Sequence, residues 1–305
     1  MPVHNKKEFV LTIDQQDLHV LQTQSATVAA QTQMEELVVW HGFGTVNRFY
    51  DWALLAPYGR VTRIGLPGHG PIQQVNYAQW SPAYFFKLMN QALAQLFPQA
   101  CSLTLVGFSL GGQVALGTAL SSQLPVKRLI LINPLLWRPF NWLSKQIVLS
   151  RLWDGLGQKR FQRQLDRRRK SLADYYADIS HSIVDLEAFQ TNQNIKQQLV
   201  AGRNDYQHLT AKTLREMAKV VALADIRPLV LAKRYQITFK TCLIYGDKDP
   251  TTPAQQGYWL TEHLPDIQFF LLPGIGHYAY AEAEARTTTI LQAWLEQQGL
   301  QPATG

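Results

Sequence analysis

A chain of 305 residues, 46% hydrophobic and 11% aromatic, has ample apolar material for a large buried core. Eight Trp and a charged fraction of only 17% exclude a disordered polycation, while a net charge of +7 directs attention to anionic partners. The two cysteines, Cys101 and Cys242, have no CxxC neighbour, which excludes a disulfide framework or a thiolate metal site and leaves two buried free thiols as the expectation. The first twenty residues lack an apolar core and a small-residue cleavage site, and no run of about 18 uncharged apolar residues exists, so a cytoplasmic setting without a membrane span is expected.

Short apolar runs ending at Gly, Asn or Pro predict strands over 9–13, 18–22, 36–40, 60–64, 103–107, 128–132, 241–245 and 267–271. Between them lie amphipathic stripes at helical spacing. Phe85, Leu88, Met89, Ala92, Leu93 and Leu96 form one, and Ile290, Leu291, Trp294 and Leu295 another. Alternation of this kind predicts an α/β fold, with a mostly parallel sheet covered by helices on both faces. The rhythm breaks from Pro134 to Tyr235, where helical patterns occur without a strand. The expected organisation is a core made of 1–133 and 236–305, with 134–235 inserted as a helical cap.

The sharpest motif is Gly107-Phe108-Ser109-Leu110-Gly111, which follows an apolar strand and precedes a helical pattern. A turn this tight leaves no room for Cβ atoms two residues either side of the serine. It lifts Ser109 above the sheet at a helix N-terminus, where developing negative charge is favoured. The motif marks Ser109 as a nucleophile.

Acyl transfer also needs two preorganised N–H donors for the tetrahedral oxygen. One is expected from Leu110, after the nucleophile. The other is expected from Phe43, in His41-Gly42-Phe43-Gly44, which ends an earlier strand. The Phe43 side chain would then face the acyl pocket. His41 is expected to be structural, hydrogen-bonded behind the loop, and a zinc site built on His41 and His69 lacks ligand spacing and a third partner.

The strand at 241–245 runs into Gly246-Asp-Lys-Asp-Pro250, and the strand at 267–271 leads to Gly274-Ile-Gly-His277. A carboxylate and a histidine, each after its own strand and following the serine in the order Ser, Asp, His, supply a base and its orienter. His277 is the expected base and Asp249 the expected acid, with Asp247 left to cap the turn or face solvent. No cofactor or metal is called for.

With His41 to Gly44, Leu66-Pro-Gly-His-Gly70, Gly107 to Gly112, Gly246 to Asp249 and Gly276-His277 in place, the chain resembles the α/β-hydrolase superfamily over nearly its full length. Within it, the chain is most similar to small capped carboxylesterases, including pimeloyl carrier-protein methyl ester esterases, and to lyases of menaquinone synthesis that use the same triad. Near relatives often carry Asp before LPGHG and Ser or Thr after it, where this chain has Gly65 and Pro71. Relatives that act on halides or epoxides have Asp where this chain has Ser109. The resemblance implies a serine hydrolase cleaving a small-molecule carboxylic ester or thioester through an acyl-enzyme. A C–C lyase or acyltransferase on the same triad stays open, as does a non-catalytic ligand-binding receptor.

In the insertion, Trp137, Phe140, Trp142, Leu143, Ile147, Leu152 and Trp153 form an apolar stretch, of which Trp137 is a candidate substrate contact. Arg160, Arg163, Arg167 and Lys170 recur at helical spacing and predict one basic face. That face is either simply solvated or a dock for an anionic carrier or acidic surface. Nothing in the chain matches a nucleic-acid-binding module.

Overall fold

The computed structural model describes residues 4–25, 35–50, 52–138 and 154–303. The chain opens with an antiparallel hairpin, β1 (His4–Ile13) and β2 (Gln16–Ser25), turned through Asp14 and Gln15, whose φ values of 50° and 59° suit a two-residue turn. Both strands run further than their apolar cores suggest, because backbone pairing extends the hairpin through polar residues. There follow β3 (Glu36–Trp40), β4 (Arg60–Ile64), β5 (Leu103–Phe108), β6 (Val126–Ile132), β7 (Lys240–Gly246) and β8 (Ile267–Leu272).

These eight strands form one sheet in the order β1-β2-β4-β3-β5-β6-β7-β8. Pairing is antiparallel from β1 to β4 and parallel from β4 to β8, as the alternating pattern predicts. Every residue of β3 and β5 is buried. Since successive side chains point to opposite faces, both faces of the central sheet are covered.

Helix α1 (Pro82–Leu96) starts where the Ser81 hydroxyl accepts the Tyr84 N–H at 3.2 Å with Pro82 in the first turn. It buries the expected stripe, Leu96 only partly, and packs against α2 (Leu110–Ser121), itself buried from Leu110 to Leu120. Between β6 and β7 lie the helices α3 (Asp154–Lys170), α4 (Leu172–Ile179), α5 (Leu186–Thr191), α6 (Gln193–Gly202), α7 (Asp205–His208), α8 (Ala211–Ala222) and α9 (Arg227–Lys233). After β7 come α10 (Gln255–His263), α11 (Ala279–Glu282) and α12 (Glu284–Gln297). Most of the apolar stretch expected to follow Trp137, from Phe140 to Trp153, lies outside the described residues.

β3 sits centrally, with β4 on one side and β5 on the other, so the chain departs in opposite directions from neighbouring strand ends. Ligand sites in open parallel sheets form at such a switch, outside the carboxyl ends of the strands. One expectation fails at the far end. Cys242 is buried within β7, but Cys101 is exposed, because it lies in the turn before β5 rather than in the strand.

Candidate active site

Ser109 stands between β5 and α2 with φ 54° and ψ −119°, a conformation few non-glycine residues adopt. Backbone bonds on both its N–H and its carbonyl hold it there. Its N–H donates to Ile132 O at 3.1 Å, and its carbonyl accepts from Gly112 at 2.9 Å and Leu135 at 2.8 Å. The flanking glycines are sterically required. A Cβ on Gly107 would lie 2.3 Å from the Gly111 carbonyl oxygen, and one on Gly111 would lie 2.3 Å from that of Trp40.

The Ser109 hydroxyl reaches His277 Nε2 at 3.0 Å, and His277 Nδ1 reaches Asp249 Oδ2 at 2.7 Å. Asp249 can only accept when ionised, which assigns the proton to Nδ1 and leaves Nε2 to accept from the serine. All three side chains are buried. The loops carrying Asp249 and His277 meet because Gly246 has no side chain; a Cβ there would fall 2.2 Å from Ile275 O. Asp247, as expected, caps this turn, accepting the Gly274 N–H at 2.7 Å.

Asp249 is surrounded by donors. Oδ1 accepts the N–H groups of Thr251 and Thr252 at 2.7 and 2.9 Å. Oδ2 accepts from Asn133 Nδ2 and the Thr252 hydroxyl, each at 2.7 Å, besides His277. Burial, the largest influence, pushes this carboxyl's pKa up, but His277 and Thr252 together outweigh it and the net shift is downward. Asn133 reaches its place with φ 44°.

In the loop after β3, the Gly42 carbonyl accepts from His41 Nδ1 at 2.9 Å, Thr45 Oγ1 at 2.9 Å and Thr45 N at 3.4 Å. His41 Nε2 accepts the Leu66 N–H at 3.0 Å. The ring is thus fully engaged in holding the loop, and burial, followed by the neighbouring His69, keeps its pKa well below the ordinary histidine value. His69 donates from Nδ1 to Pro67 O at 3.1 Å and is lowered to about 4 by burial. Gly42 lies against Ser109, its Cβ position only 3.1 Å from the serine Cβ. No hydrogen bond among the described residues uses the N–H of Phe43 or Leu110.

A cavity of about 90 Å³ opens over Ser109 and His277, with walls that are apolar at Phe43, Leu135 and Val221 and polar at Gln164, Arg168 and His181. Trp137 is not part of this wall. Its backbone bridges to Asp225, and its ring packs edge-on against Trp259 at 5.8 Å with the Arg227 guanidinium 4.9 Å from its centre. The chain leaves β6 toward α9 and α10, which carries the indole away from the serine. On α3, Lys159, Arg160, Arg163, Arg167 and Lys170 are exposed, so the expected basic face is present.

Four contributors escaped the sequence reading: Asn133, Thr252, Glu282 and Arg168. The Glu282 carboxylate accepts the N–H groups of Gly276 at 3.2 Å and Tyr278 at 3.1 Å, on either side of His277, and that of Val184 at 2.8 Å. For Arg168 a signal existed. Phe161, Leu165 and Arg168 are spaced four and three apart, so the arginine continues the buried stripe of α3 rather than its basic face.

A family model described as the alpha/beta hydrolase family matches residues 37–288. The chain is 25% identical over 252 residues to a pimeloyl-[acyl-carrier protein] methyl ester esterase of Nitrosomonas europaea, covering 79% of this chain and 88% of that one. It is 26% identical over 271 residues to a protein of the same name from Chromobacterium violaceum, covering 87% and 96%. Among solved structures, MenH from S. aureus aligns with a TM-score of 0.66 at 20% identity, covering 92% of this chain and 99% of that one. A hydrolase from Pseudomonas aeruginosa aligns with a TM-score of 0.70 at 18% identity, covering 95% and 98%.

Proposed function

Because the chain belongs to the alpha/beta hydrolase family, we propose that it is a serine carboxylic ester hydrolase whose triad is Ser109, His277 and Asp249. The observation that carries this reading is the buried relay from Ser109 Oγ through His277 to Asp249, at 3.0 and 2.7 Å, opening on a cavity. His277 Nε2 takes the hydroxyl proton as Ser109 attacks the acyl carbon of an ester or thioester. Asp249 holds the tautomer and stabilises the imidazolium. The Phe43 and Leu110 N–H groups receive the oxyanion, a role left open to them because neither has another partner among the described residues. The imidazolium returns its proton to the leaving group, and water repeats the sequence in reverse order to free the acid.

Residues 134–235 are read as a cap whose helices supply cavity wall, through Gln164, Arg168 and Val221. The substrate is a small-molecule acyl ester. The relatives named for a carrier-protein ester, together with the exposed basic face of α3, support an acidic carrier as its bearer. An exposed free thiol at Cys101 suits a reducing compartment, and the same proposal places the chain in the cytoplasm. No helix among the described residues is long and apolar enough to cross a membrane.

The test is turnover of p-nitrophenyl esters from acetate to palmitate, with Ser109→Ala as control. Hydrolysis lost in the variant supports the reading, and the preferred chain length sizes the cavity. No turnover with Ser109 still labelled by a fluorophosphonate moves the assignment to a lyase or acyltransferase. Absence of both leaves a receptor.

A further inference from the structure

Arg168 is a buried cation in the cavity wall, and its hydrogen bonds do not point at a substrate. Its Nε donates to Asp178 Oδ2 at 2.6 Å, an oxygen that also accepts from Gln164 Nε2 at 3.0 Å. Its guanidinium carbon lies 5.5 Å from the ring centre of Tyr175 and 5.9 Å from that of Tyr206. Held from behind in this way, Nη1 donates to the carbonyl of Gly44, in the loop after β3. Seven residues earlier on the same helix, Phe161 packs edge-on against Phe43 at 6.4 Å. Seven residues are two helical turns, so one face of α3 grips this loop at two successive positions.

The consequence follows from peptide planarity. The Phe43 N–H shares a plane with the Gly42 carbonyl and points away from it. That carbonyl is fixed from within the loop by His41 and Thr45. Two peptides further on lies the carbonyl of Gly44, a residue whose φ of +66° is only lightly favoured for residues with a side chain. It is fixed from outside the loop, by Arg168. Phe43 is therefore bracketed by two tethered carbonyls, one internal and one supplied by the helical insertion.

We propose that Arg168 is a positioning residue: by holding the Gly44 carbonyl it fixes from the far side the segment that His41 and Thr45 fix from the near side, and so keeps the Phe43 N–H on its course, so that oxyanion stabilisation depends on α3 being seated. The proposal rests on the reading of Phe43 as an oxyanion donor. Loss of a whole donor costs about a hundred-fold or more in kcat, and loss of its orientation costs a fraction of that.

The test compares the wild type with Arg168→Lys and with Arg168→Met combined with Asp178→Asn, which removes the buried guanidinium and its half-buried carboxylate partner together and so leaves no unpaired carboxylate. Measured on one p-nitrophenyl ester, kcat should fall about ten-fold in the double variant with KM within about three-fold. Affinity for a trifluoromethyl ketone, whose adduct carries the oxyanion, should weaken by the same factor as kcat/KM, and Arg168→Lys should lie between. A rise in KM at unchanged kcat overturns the proposal in favour of substrate binding. A lowered Tm at unchanged kcat overturns it in favour of simple packing. If the wild type hydrolyses no ester, the rate at which a fluorophosphonate labels Ser109 reads the same donor: slower labelling in the double variant sustains the proposal although ester hydrolysis has failed, and equal or absent labelling ends it.

Discussion

The carbonyl of Ser182, in the helical region between β6 and β7, accepts the backbone N–H of His277 at 2.8 Å. The candidate base is thus attached to the insertion through its own main chain. Glu282 reinforces the attachment, gathering the N–H groups of Gly276, Tyr278 and Val184 on one carboxylate. A Gln there would turn an amide donor toward groups that can only donate. We expect Glu282→Gln to lower kcat about ten-fold with KM nearly unchanged, and to lower stability by about 1–3 kcal/mol. Steady-state kinetics alongside a urea melt would show it; unchanged kcat would mean the loop is held without the carboxylate.

Ser109 carries its own test. Its backbone conformation costs roughly 1–3 kcal/mol for a residue with a side chain. Glycine adopts it freely. Ser109→Gly should abolish turnover and raise Tm relative to Ser109→Ala, measured by differential scanning fluorimetry. Equal melting of the two variants would mean that the surrounding bonds relax when the hydroxyl is removed.

The pH response of stability should centre on Asp249. Its pKa is held below the ordinary carboxylate value in the folded chain, so the unfolded chain binds this proton more readily. The stabilisation is complete above the ordinary carboxylate range and is lost as pH falls through the lowered value. Asp249→Asn should therefore melt less steeply with acid below about pH 4. It should also lower kcat by about 10³–10⁴-fold by admitting the wrong histidine tautomer. An acid limb identical to the wild type's would assign acid sensitivity to other groups.

The proposed role of the basic face of α3 in meeting an acidic carrier can be tested apart from the chemistry. Reversing charge at exposed Arg163 and Arg167 should leave p-nitrophenyl ester turnover within about two-fold. With an acyl ester borne on an acidic carrier protein, kcat/KM should fall about ten-fold or more at low salt and converge with the wild type as salt rises. Equal loss on both substrates would place these arginines in the fold instead.

The sheet was legible because each strand is a short apolar run closed by a turn residue, and Ser109, Asp249 and His277 were legible because each follows its own strand in the chain. Part of what stayed hidden lies in contacts between distant segments. Asn133 reaches Asp249 across more than a hundred positions, and Arg168 reaches Gly44 from even further. Neither has a local pattern that names its partner. Trp137 failed for a related reason: composition marks it as apolar wall, but only the path of the chain after β6 decides which wall. Cys101 shows the same limit at smaller scale, since two positions separate it from the buried strand it appeared to begin.

Neighbouring β6 and β7 are separated in sequence by roughly a hundred residues. The entropy of closing such a loop grows only logarithmically, so doubling it costs about 0.6 kcal/mol. A chimera carrying a foreign helical insertion between Trp137 and Lys240, with Asn133 and Leu135 kept, should therefore still assemble this sheet, hairpin included. It would arrive without the guanidinium that meets Gly44, the carbonyl that meets the His277 amide, or the Val184 amide that meets Glu282. Folding of the scaffold is tolerant at this junction while turnover is not, so laboratory exchange of the insertion should yield well-folded but slow proteins until those three contacts are rebuilt.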